Sequence, residues 1–379
     1  MKLVICVLKV GLLATGLHLL GCSSDIARGS DNNPSVNQTK NTENSQQRLL
    51  FVSNQDGDRE IYTVRLDGSE LHQLTHTSRD DYDASWSPDG GAVLFTSSRN
   101  EGNAEIYVMQ PDGSDQKRLT NHPGYDGEAN WSPDGKQIIF SSDRNGSTIH
   151  LYTMHPDGSE IRQITTDNTA SYGSPEWAPD GQWIAYLKFN TQAKADTWIV
   201  NVNTGQHQQI TNHPKHEDGK ASWAPESTRL VYHSRRNKEF NIYQYDLKLN
   251  KERKLTDLPS SDSQPQWSNT TGEILFLSTR GPHGRTQLHI MKEDGSQQRS
   301  FTDAQYQIDD AIWLADDSAI LMVSWQGGRY SNVYALNLSG NTLWAIAPAK
   351  GYQSQPLPEP AALPTTVPQL AGSASQALH

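Results

Sequence analysis

Cysteine is nearly absent from this sequence. Cys6 and Cys22 are the only two cysteines among 379 residues, and both precede the body of the chain. A chain body without thiols forms no disulfide and offers no nucleophilic cysteine. Disulfide scaffolds and cysteine-dependent catalysis are therefore excluded for everything that follows Cys22.

Basic residues are scarce and form no run. The chain has 32 Lys and Arg against 43 Asp and Glu, which gives a formal net charge of −11 at pH 7. Nucleic-acid phosphates require a basic surface, so we expect no nucleic-acid partner. The sequence also lacks a Gly-x-Ser-x-Gly elbow and a glycine-rich phosphate loop, which argues against a serine hydrolase and against a nucleotide-binding site.

A long apolar run occurs only at the N-terminus. It extends from Leu3 to Leu20, follows Lys2 and ends in Leu19-Leu20-Gly21-Cys22. This arrangement is typical of a signal peptide rather than of a permanent membrane span. The last four residues resemble the lipobox of bacterial lipoproteins, which implies cleavage before Cys22 and a diacylglycerol on its thiol. An ordinary secretory signal with an incidental cysteine is the alternative.

Composition divides the rest of the chain into a domain and two polar tails. Residues 1–22 form the predicted signal peptide and lipobox, and Ser23 and Ser24 after the cysteine imply sorting to the outer membrane. Residues 23–47 have hardly an apolar side chain and are predicted to be a flexible tether. Residues 361–379, rich in Ala, Pro, Ser and Gln, are predicted to be a disordered tail. The folded domain is expected to occupy residues 48–360.

What the sequence contains in abundance is a repeat. The segment Trp131-Ser132-Pro133-Asp134-Gly135 recurs with variations, and its tryptophan returns every 44 to 46 residues. The recurring tryptophans are Trp86, Trp131, Trp177, Trp223, Trp267 and Trp313. A fixed period of this size indicates a propeller, solenoid or array. Each repeat holds four short apolar runs separated by turn residues, so we predict an all-β propeller built from four-stranded blades.

Counting the strands predicts the number of blades. The second to fourth strands occur seven times but the Trp strand only six times, so the first set lacks its inner strand. Near the C-terminus, Ser354-Gln355-Pro356 matches Ser263-Gln264-Pro265 ahead of Trp267. We therefore expect seven blades, with a C-terminal inner strand that joins the N-terminal blade and closes the ring. Six blades with an unpaired tail is the alternative.

The prolines of this C-terminal stretch are compatible with an inner strand. They alternate, so their missing N–H groups all point to one side of the strand. An innermost strand has one free side, which faces the channel. The prolines are Pro356, Pro358 and Pro360.

Three motifs resemble the TolB-like propeller repeat: the Trp131–Gly135 strand and turn, the Glu105-Ile106-Tyr107 strand and the Leu119-Thr120-Asn121-His122-Pro123 loop. The resemblance extends over residues 48 to about 360 and implies the propeller fold. It implies less about function, because the same fold occurs in TolB, in the propellers of dipeptidyl-peptidase-type enzymes and in oligogalacturonate lyases. TolB has an α/β domain before its propeller, whereas only the tether of residues 23–47 is expected here, so a TolB-like role does not follow.

The loops that enter the Trp strands are expected to meet at one mouth of the central channel, and they carry carboxylates. Five residues before the tryptophan the sequence has Asp81, Asp126, Asp218 and Asp262, and three residues before it Asp83, Glu128 and Asp310. Such a ring suits a hard cation such as Ca²⁺ or a basic segment of a partner protein. The structural alternative is that each aspartate caps its own loop by accepting backbone N–H groups.

Histidines occur in the same loops. His122, His213 and His216 are candidate metal ligands, because neutral imidazoles beside carboxylates bind divalent metals. The resemblance to the lyases implies a metal held by histidines at the channel mouth. The alternative is that these are solvent-exposed loop residues.

Two functions remain open. The first is a non-catalytic envelope lipoprotein, anchored through Cys22 and without a cofactor, whose propeller face binds a protein or polysaccharide. The second is a lyase-like enzyme that acts on a polysaccharide with a metal at the channel mouth. The excess of acidic residues favours a basic or cation-bridged partner for the first function.

Overall fold

The computed structural model describes residues 46–100, 103–190, 194–212, 217–281, 284–302, 306–325, 330–339, 342–346 and 351–360. Within these residues 28 strands form seven four-stranded antiparallel sheets. No helix in the described part of the chain is long and apolar enough to cross a membrane. The predicted signal peptide, Cys22, most of the tether and the tail of residues 361–379 lie outside the described residues.

Each sheet is one blade, written here from the inner strand outward. Blade 1 is β28 (Gln353–Pro358), β1 (Arg48–Ser53), β2 (Glu60–Arg65) and β3 (His72–Gln73); blade 2 is β4 (Asp81–Trp86), β5 (Val93–Asn100), β6 (Asn103–Met109) and β7 (Lys117–Arg118); blade 3 is β8 (Asp126–Trp131), β9 (Ile138–Ser142), β10 (His150–Met154) and β11 (Arg162–Gln163). Blade 4 is β12 (Ser171–Trp177), β13 (Trp183–Phe189), β14 (Ala195–Asn201) and β15 (His207–Gln209); blade 5 is β16 (Ser222–Trp223), β17 (Arg229–Arg235), β18 (Phe240–Asp246) and β19 (Lys251–Lys254). Blade 6 is β20 (Asp262–Trp267), β21 (Glu273–Ser278), β22 (Gln287–Lys292) and β23 (Arg299–Ser300); blade 7 is β24 (Gln307–Trp313), β25 (Ala319–Trp325), β26 (Asn332–Asn337) and β27 (Thr342–Ala345).

The turn after each Trp strand is set by its own residues. In blade 3, Gly135 has φ of 69° and donates its N–H to the Ser132 carbonyl at 2.9 Å. Asp134 Oδ1 accepts the Ser132 hydroxyl at 2.7 Å and the Lys136 N–H at 3.1 Å. Glycine is favoured here because its backbone takes the left-handed conformation without strain. The turn therefore fixes the length of the hairpin between the first two strands.

The threonine that ends each outer strand joins the two outermost strands of its blade. Thr120 Oγ1 accepts the Ile106 N–H at 2.9 Å, and five other threonines accept the N–H of the residue 14 positions earlier in the same way. These are Thr75, Thr165, Thr211, Thr256 and Thr302. Each of these threonine hydroxyls lies where the outer strand turns toward the next blade.

The hydrophobic core lies between neighbouring blades. Leu94 and Ile106 of blade 2, for example, pack against Ile138 and Phe140 of blade 3, and all four are fully buried. Five of the six repeat tryptophans are 3–8 % exposed, so they act as wedges beside the channel. Because each blade buries its apolar face only against its neighbours, the ring is stable only when it is closed.

The C-terminal strand closes the ring. In β28, Pro358 pairs with Leu49 and Gln353 pairs with Ser53, both on β1. Beyond the strand, Glu359 Oε1 accepts a hydrogen bond from Arg48 at 2.8 Å. The prediction of seven blades with a split first blade is confirmed, and the six-bladed alternative is wrong.

Candidate functional site at the channel mouth

The inner strands are interrupted at the same place in most blades. Five residues there have φ between 50° and 53°, and the strand register shifts at each of them. They are Asp83, Glu128, Ser174, Gln264 and Gln355. A bulge bends the strand and re-aims a side chain. The side chain three residues before the tryptophan is thereby directed toward the channel near the end where the chain enters the inner strand.

The remaining two blades have Lys220 and Asp310 at the corresponding position. In blade 7 the register shifts between Ile308 and Asp310, and in blade 5 the inner strand is reduced to Ser222–Trp223. The seven residues together are named the channel ring: Asp83, Glu128, Ser174, Lys220, Gln264, Asp310 and Gln355.

Hydrogen bonds between neighbouring blades connect members of the channel ring. Gln355 Nε2 donates to Asp83 Oδ1 at 2.6 Å, and the Asp83 N–H donates back to Gln355 Oε1 at 3.0 Å. The Ser174 N–H donates to Glu128 Oε2 at 2.9 Å, and the Ser141 hydroxyl also donates to this oxygen at 2.7 Å. The predicted residues Asp83, Glu128 and Asp310 thus all lie in the ring.

Burial makes the acidic members of the ring harder to ionise. Desolvation raises the pKa of Asp83, against the effect of the Gln355 hydrogen bond, and it raises the pKa of Glu128 in the same way. For Asp310, desolvation raises the pKa to about 6, although the Ala311 N–H and the Lys220 charge both lower it. No arginine hydrogen-bonds any of these three carboxylates among the described residues. At neutral pH they are desolvated negative charges that neutral donors satisfy only in part.

Lys220 is the positive member of the channel ring, and sequence analysis did not single it out. Its Nζ lies 3.0 Å from Glu176 Oε2, and 57 % of its side chain is accessible. Glu176 is the main cause that raises the pKa of Lys220, and Asp310 and Glu128 add to it. The signal was available, because Lys220 stands three residues before Trp223, but only carboxylates were considered at that register.

The aspartates five residues before the tryptophan have a different role. Asp81, Asp126 and Asp262 are fully buried, and each is paired with an arginine 18 residues later. The pairs are Arg99–Asp81 at 3.1 Å, Arg144–Asp126 at 3.0 Å and Arg280–Asp262 at 2.6 Å. A carboxylate neutralised inside its own blade is a poor ligand for an external cation. The constant spacing of 18 residues in the sequence is the signal from which these pairs could have been found.

Asp218 has lost this arginine. Arg236, 18 residues later, pairs with Glu252 on the outer strand β19 instead. Asp218 is 3 % exposed, and neither of its carboxylate oxygens has a hydrogen-bond partner among the described residues. Desolvation raises the pKa of Asp218, and the nearby Ser234 and Thr211 side chains lower it. Asp218 lies within blade 5 rather than in the channel ring.

The histidines do not assemble into a metal centre within the described residues. His122 Nδ1 accepts the Gly124 N–H at 3.0 Å, and the His122 N–H donates to Glu105 at 2.9 Å. His213 and His216 lie outside the described residues. In the described part of the chain no three His, Cys, Asp or Glu side chains converge with the geometry of a metal site.

A histidine that sequence analysis did not consider lies in the channel wall. The His233 ring fills the space above Gly219, where a Cβ would lie 1.8 Å from the ring. Its Nδ1 accepts the Gln264 N–H at 3.3 Å. Burial lowers the pKa of His233 to about 4, so the imidazole is neutral at physiological pH and adds no charge to the mouth.

Comparison with known proteins agrees with this architecture. The chain is similar to the structure of TolB from Acinetobacter baumannii (18 % identity, 66 % of this chain and 62 % of that one, TM-score 0.51). It is also similar to oligogalacturonate lyase in complex with manganese (18 % identity, 77 % and 86 %, TM-score 0.64). A third similar structure is a puromycin-hydrolyzing peptidase of Mycobacterium tuberculosis (14 % identity, 80 % and 53 %, TM-score 0.65).

Identities this low establish a shared fold and no shared activity. The chain spans less than two thirds of the length of that TolB. No curated protein sequence matches the chain. The model of the TolB beta propeller domain, however, matches residues 98–173 and 167–360. Since the match covers well over half of the sequence, the chain belongs to the TolB beta-propeller domain family.

Proposed function

We propose that this chain is a non-catalytic binding protein of the cell envelope, which uses the channel mouth of its propeller to hold a basic segment of a partner protein. The observation that carries the proposal is the composition of the channel ring. Three of its seven members are carboxylates, from blades 2, 3 and 7, and its single cation, Lys220, is paired with Glu176. A ring with excess negative charge favours a ligand of positive charge.

The contrast between the two sets of carboxylates supports this proposal. Asp126 and its equivalents are neutralised by arginines inside the blade. Asp83 and Glu128 are instead bonded by Gln355, Ser141 and Ser174, which are neutral donors. Their charge therefore remains available to an incoming cation. A mouth walled by protein also weakens screening by salt and strengthens the attraction.

The location of the protein is proposed from its N-terminal sequence. A lipid on Cys22 would hold the chain on a membrane, and residues 23–47 would act as the tether that lets the propeller reach its partner. Ser23 and Ser24 favour the periplasmic face of the outer membrane. No cofactor is part of the proposal, and a divalent cation is a competing occupant of the same carboxylates.

Calorimetric titration of the purified full chain with two probes tests the proposed function. A penta-lysine peptide is expected to bind one site per chain, more weakly as salt is raised from about 0.05 to 0.15 M. Polygalacturonate, a polyanion, is expected not to bind. Binding or cleavage of polygalacturonate that requires a bound metal, and that is lost in His122→Ala, would overturn the proposal in favour of the lyase-like alternative.

A further inference from the structure

Two aromatic side chains meet where the last blade adjoins the first. Trp325 ends β25 in blade 7, and Tyr352 immediately precedes β28 in blade 1. Their ring centroids are 5.3 Å apart at an interplanar angle of 59°, and Tyr352 is 47 % exposed. Tyr330 extends the group, since its ring stands at 89° to that of Tyr352 at 5.6 Å. The three residues are named the aromatic ledge.

The ledge lies at the same end of the propeller as the channel ring. Trp325 pairs with Gln307, the first residue of the inner strand β24, and this is the end at which the chain enters each inner strand. The Trp325 indole N–H donates to Asp309 Oδ2, and Asp309 immediately precedes Asp310 of the channel ring. The ledge and the ring are thus adjacent parts of one surface.

Elsewhere in the molecule, aromatic rings are covered by a cation of the chain itself. The Arg99 guanidinium lies 4.7 Å from the Tyr107 ring centroid, that of Arg144 lies 4.9 Å from the Tyr152 centroid, and that of Arg280 lies 5.3 Å from the Phe276 centroid. In blade 4, Lys188 Nζ lies 5.1 Å from the Trp198 centroid. Cation–π attraction holds at such distances, within about 6 Å of the ring.

Blades 1 and 7 lack this internal cation. Arg99, Arg144 and Arg280 each stand six residues after the first residue of the second strand of their blade, and the corresponding residues of blades 1 and 7 are Gln55 and Gln326. No Lys or Arg of the described chain lies over Trp325 or Tyr352. The ledge therefore stands at the one boundary between blades where neither blade supplies the arginine.

We propose that the aromatic ledge binds an arginine or lysine side chain of the partner protein, a proposal that rests on the proposed function of the channel ring. The indole of Trp325 is the strongest cation–π acceptor among side chains. Its N–H bond to the Asp309 carboxylate increases the electron density of the ring, and the carboxylate attracts a cation over it. The basic segment held by the channel ring would thus place one further cation on the ledge.

The test uses N-acetyl-arginine amide and its neutral counterpart N-acetyl-citrulline amide as probes, titrated into the full chain by calorimetry and by saturation-transfer NMR. Arginine amide is expected to bind and citrulline amide not to bind. Trp325→Leu and Tyr352→Leu should each weaken arginine amide about two- to fivefold, the range for an exposed cation–π contact. Trp198→Leu is the matched control, because the cation of that ring is internal, and it should change nothing.

Three results would overturn the inference or separate it from the proposed function. Equal binding of the two probes would show that the positive charge is not recognised. Binding of a neutral sugar such as chitotriose to the ledge, without binding of arginine amide, would make it a sugar-stacking surface. If Trp325→Leu and Tyr352→Leu leave penta-lysine and arginine binding intact while Asp83→Asn, Glu128→Gln and Asp310→Asn together abolish it, the ledge fails and the channel ring stands. Melting temperatures verify that every variant is folded.

Discussion

Gln355 donates its Nε2–H to Asp83 Oδ1 at 2.6 Å, although 272 residues separate them in the chain. This bond joins the C-terminal inner strand to the neighbouring blade, and it also satisfies one of the carboxylates of the channel ring. Closure of the ring and assembly of the candidate site therefore depend on the same contact. Loss of the last strand is expected to affect both.

Truncation of the chain tests ring closure. Removal of residues 351–379 deletes β28, whose four residue pairings with β1 would contribute about 4 kcal/mol at about 1 kcal/mol each. Removal of residues 361–379 leaves the strand and Glu359 in place and is the control. The free energy of unfolding in urea should fall by several kcal/mol in the first case and stay unchanged in the second. Equal stability of the two truncated chains would contradict closure by β28.

Glu60 offers a prediction about the pH dependence of stability. It is 2 % exposed, and its Oε2 has no hydrogen-bond partner among the described residues. Desolvation raises its pKa to about 7, and Asp81 and Asp58 also raise it, against the Thr75 hydrogen bond. A raised carboxyl pKa favours the folded state below pH 4.5, and this contribution is lost as pH rises through about 7.

Replacement of this carboxyl by an amide should remove that dependence. Glu60→Gln is expected to be more stable than the natural protein at pH 8, by roughly 1–3 kcal/mol, and nearly equal to it at pH 4.5. The equivalent residue of blade 2, Glu105, is paired with Arg118, so Glu105→Gln should be destabilising at both pH values. Urea denaturation at the two pH values distinguishes the two variants, and a destabilised Glu60→Gln at pH 8 would refute the argument.

Lys220 is expected to weaken the binding of cations at the mouth. Lys220→Gln removes the positive charge of the channel ring, so a penta-lysine peptide should bind about two- to fivefold more tightly at low salt. Lys136→Gln makes the same change of net charge at the opposite end of the propeller, on a side chain that is 81 % exposed, and should have no effect. Weaker binding in Lys220→Gln would show that Lys220 contacts an acidic ligand group instead.

Asp310 should make binding at the mouth sensitive to pH. Its pKa of about 6 means that it gains its negative charge as pH rises from 5 to 7, so affinity for a basic peptide should rise over that range. Asp310→Asn should bind more weakly at pH 7 and show a flatter profile. Asp134→Asn, at an exposed turn, should keep the natural profile. An unchanged profile in Asp310→Asn would remove Asp310 from the site.

The fold was legible from the sequence because its signals are local and repeated. The period of the tryptophans and the alternation of Pro356, Pro358 and Pro360 together predict seven blades and the place of closure. The positions of Asp83, Glu128 and Asp310 in the channel ring also follow from their register before the tryptophan. Each of these features depends on spacing along one chain, which the sequence records directly.

The pairing of side chains was not legible in the same way. Nothing local distinguishes Asp126, which an arginine neutralises within its blade, from Asp83, which a glutamine of the C-terminal strand satisfies. The separation of roles arises from the bulge, which re-aims one side chain of the inner strand and leaves the other inside the blade. The meeting of Trp325 with Tyr352 likewise depends on how the ring closes.

Calorimetric titration of penta-lysine peptide into the full chain and into the variant Asp83→Asn, Glu128→Gln, Asp310→Asn tests the central claim most directly. The measurement is made at pH 7.5 and about 0.05 M salt, where screening is weak. Loss of three carboxylates should reduce the affinity at least tenfold while the variant remains folded, since about 0.5–1 kcal/mol is expected per charge. Equal affinity in the two proteins would contradict the account and place cation binding away from the channel ring.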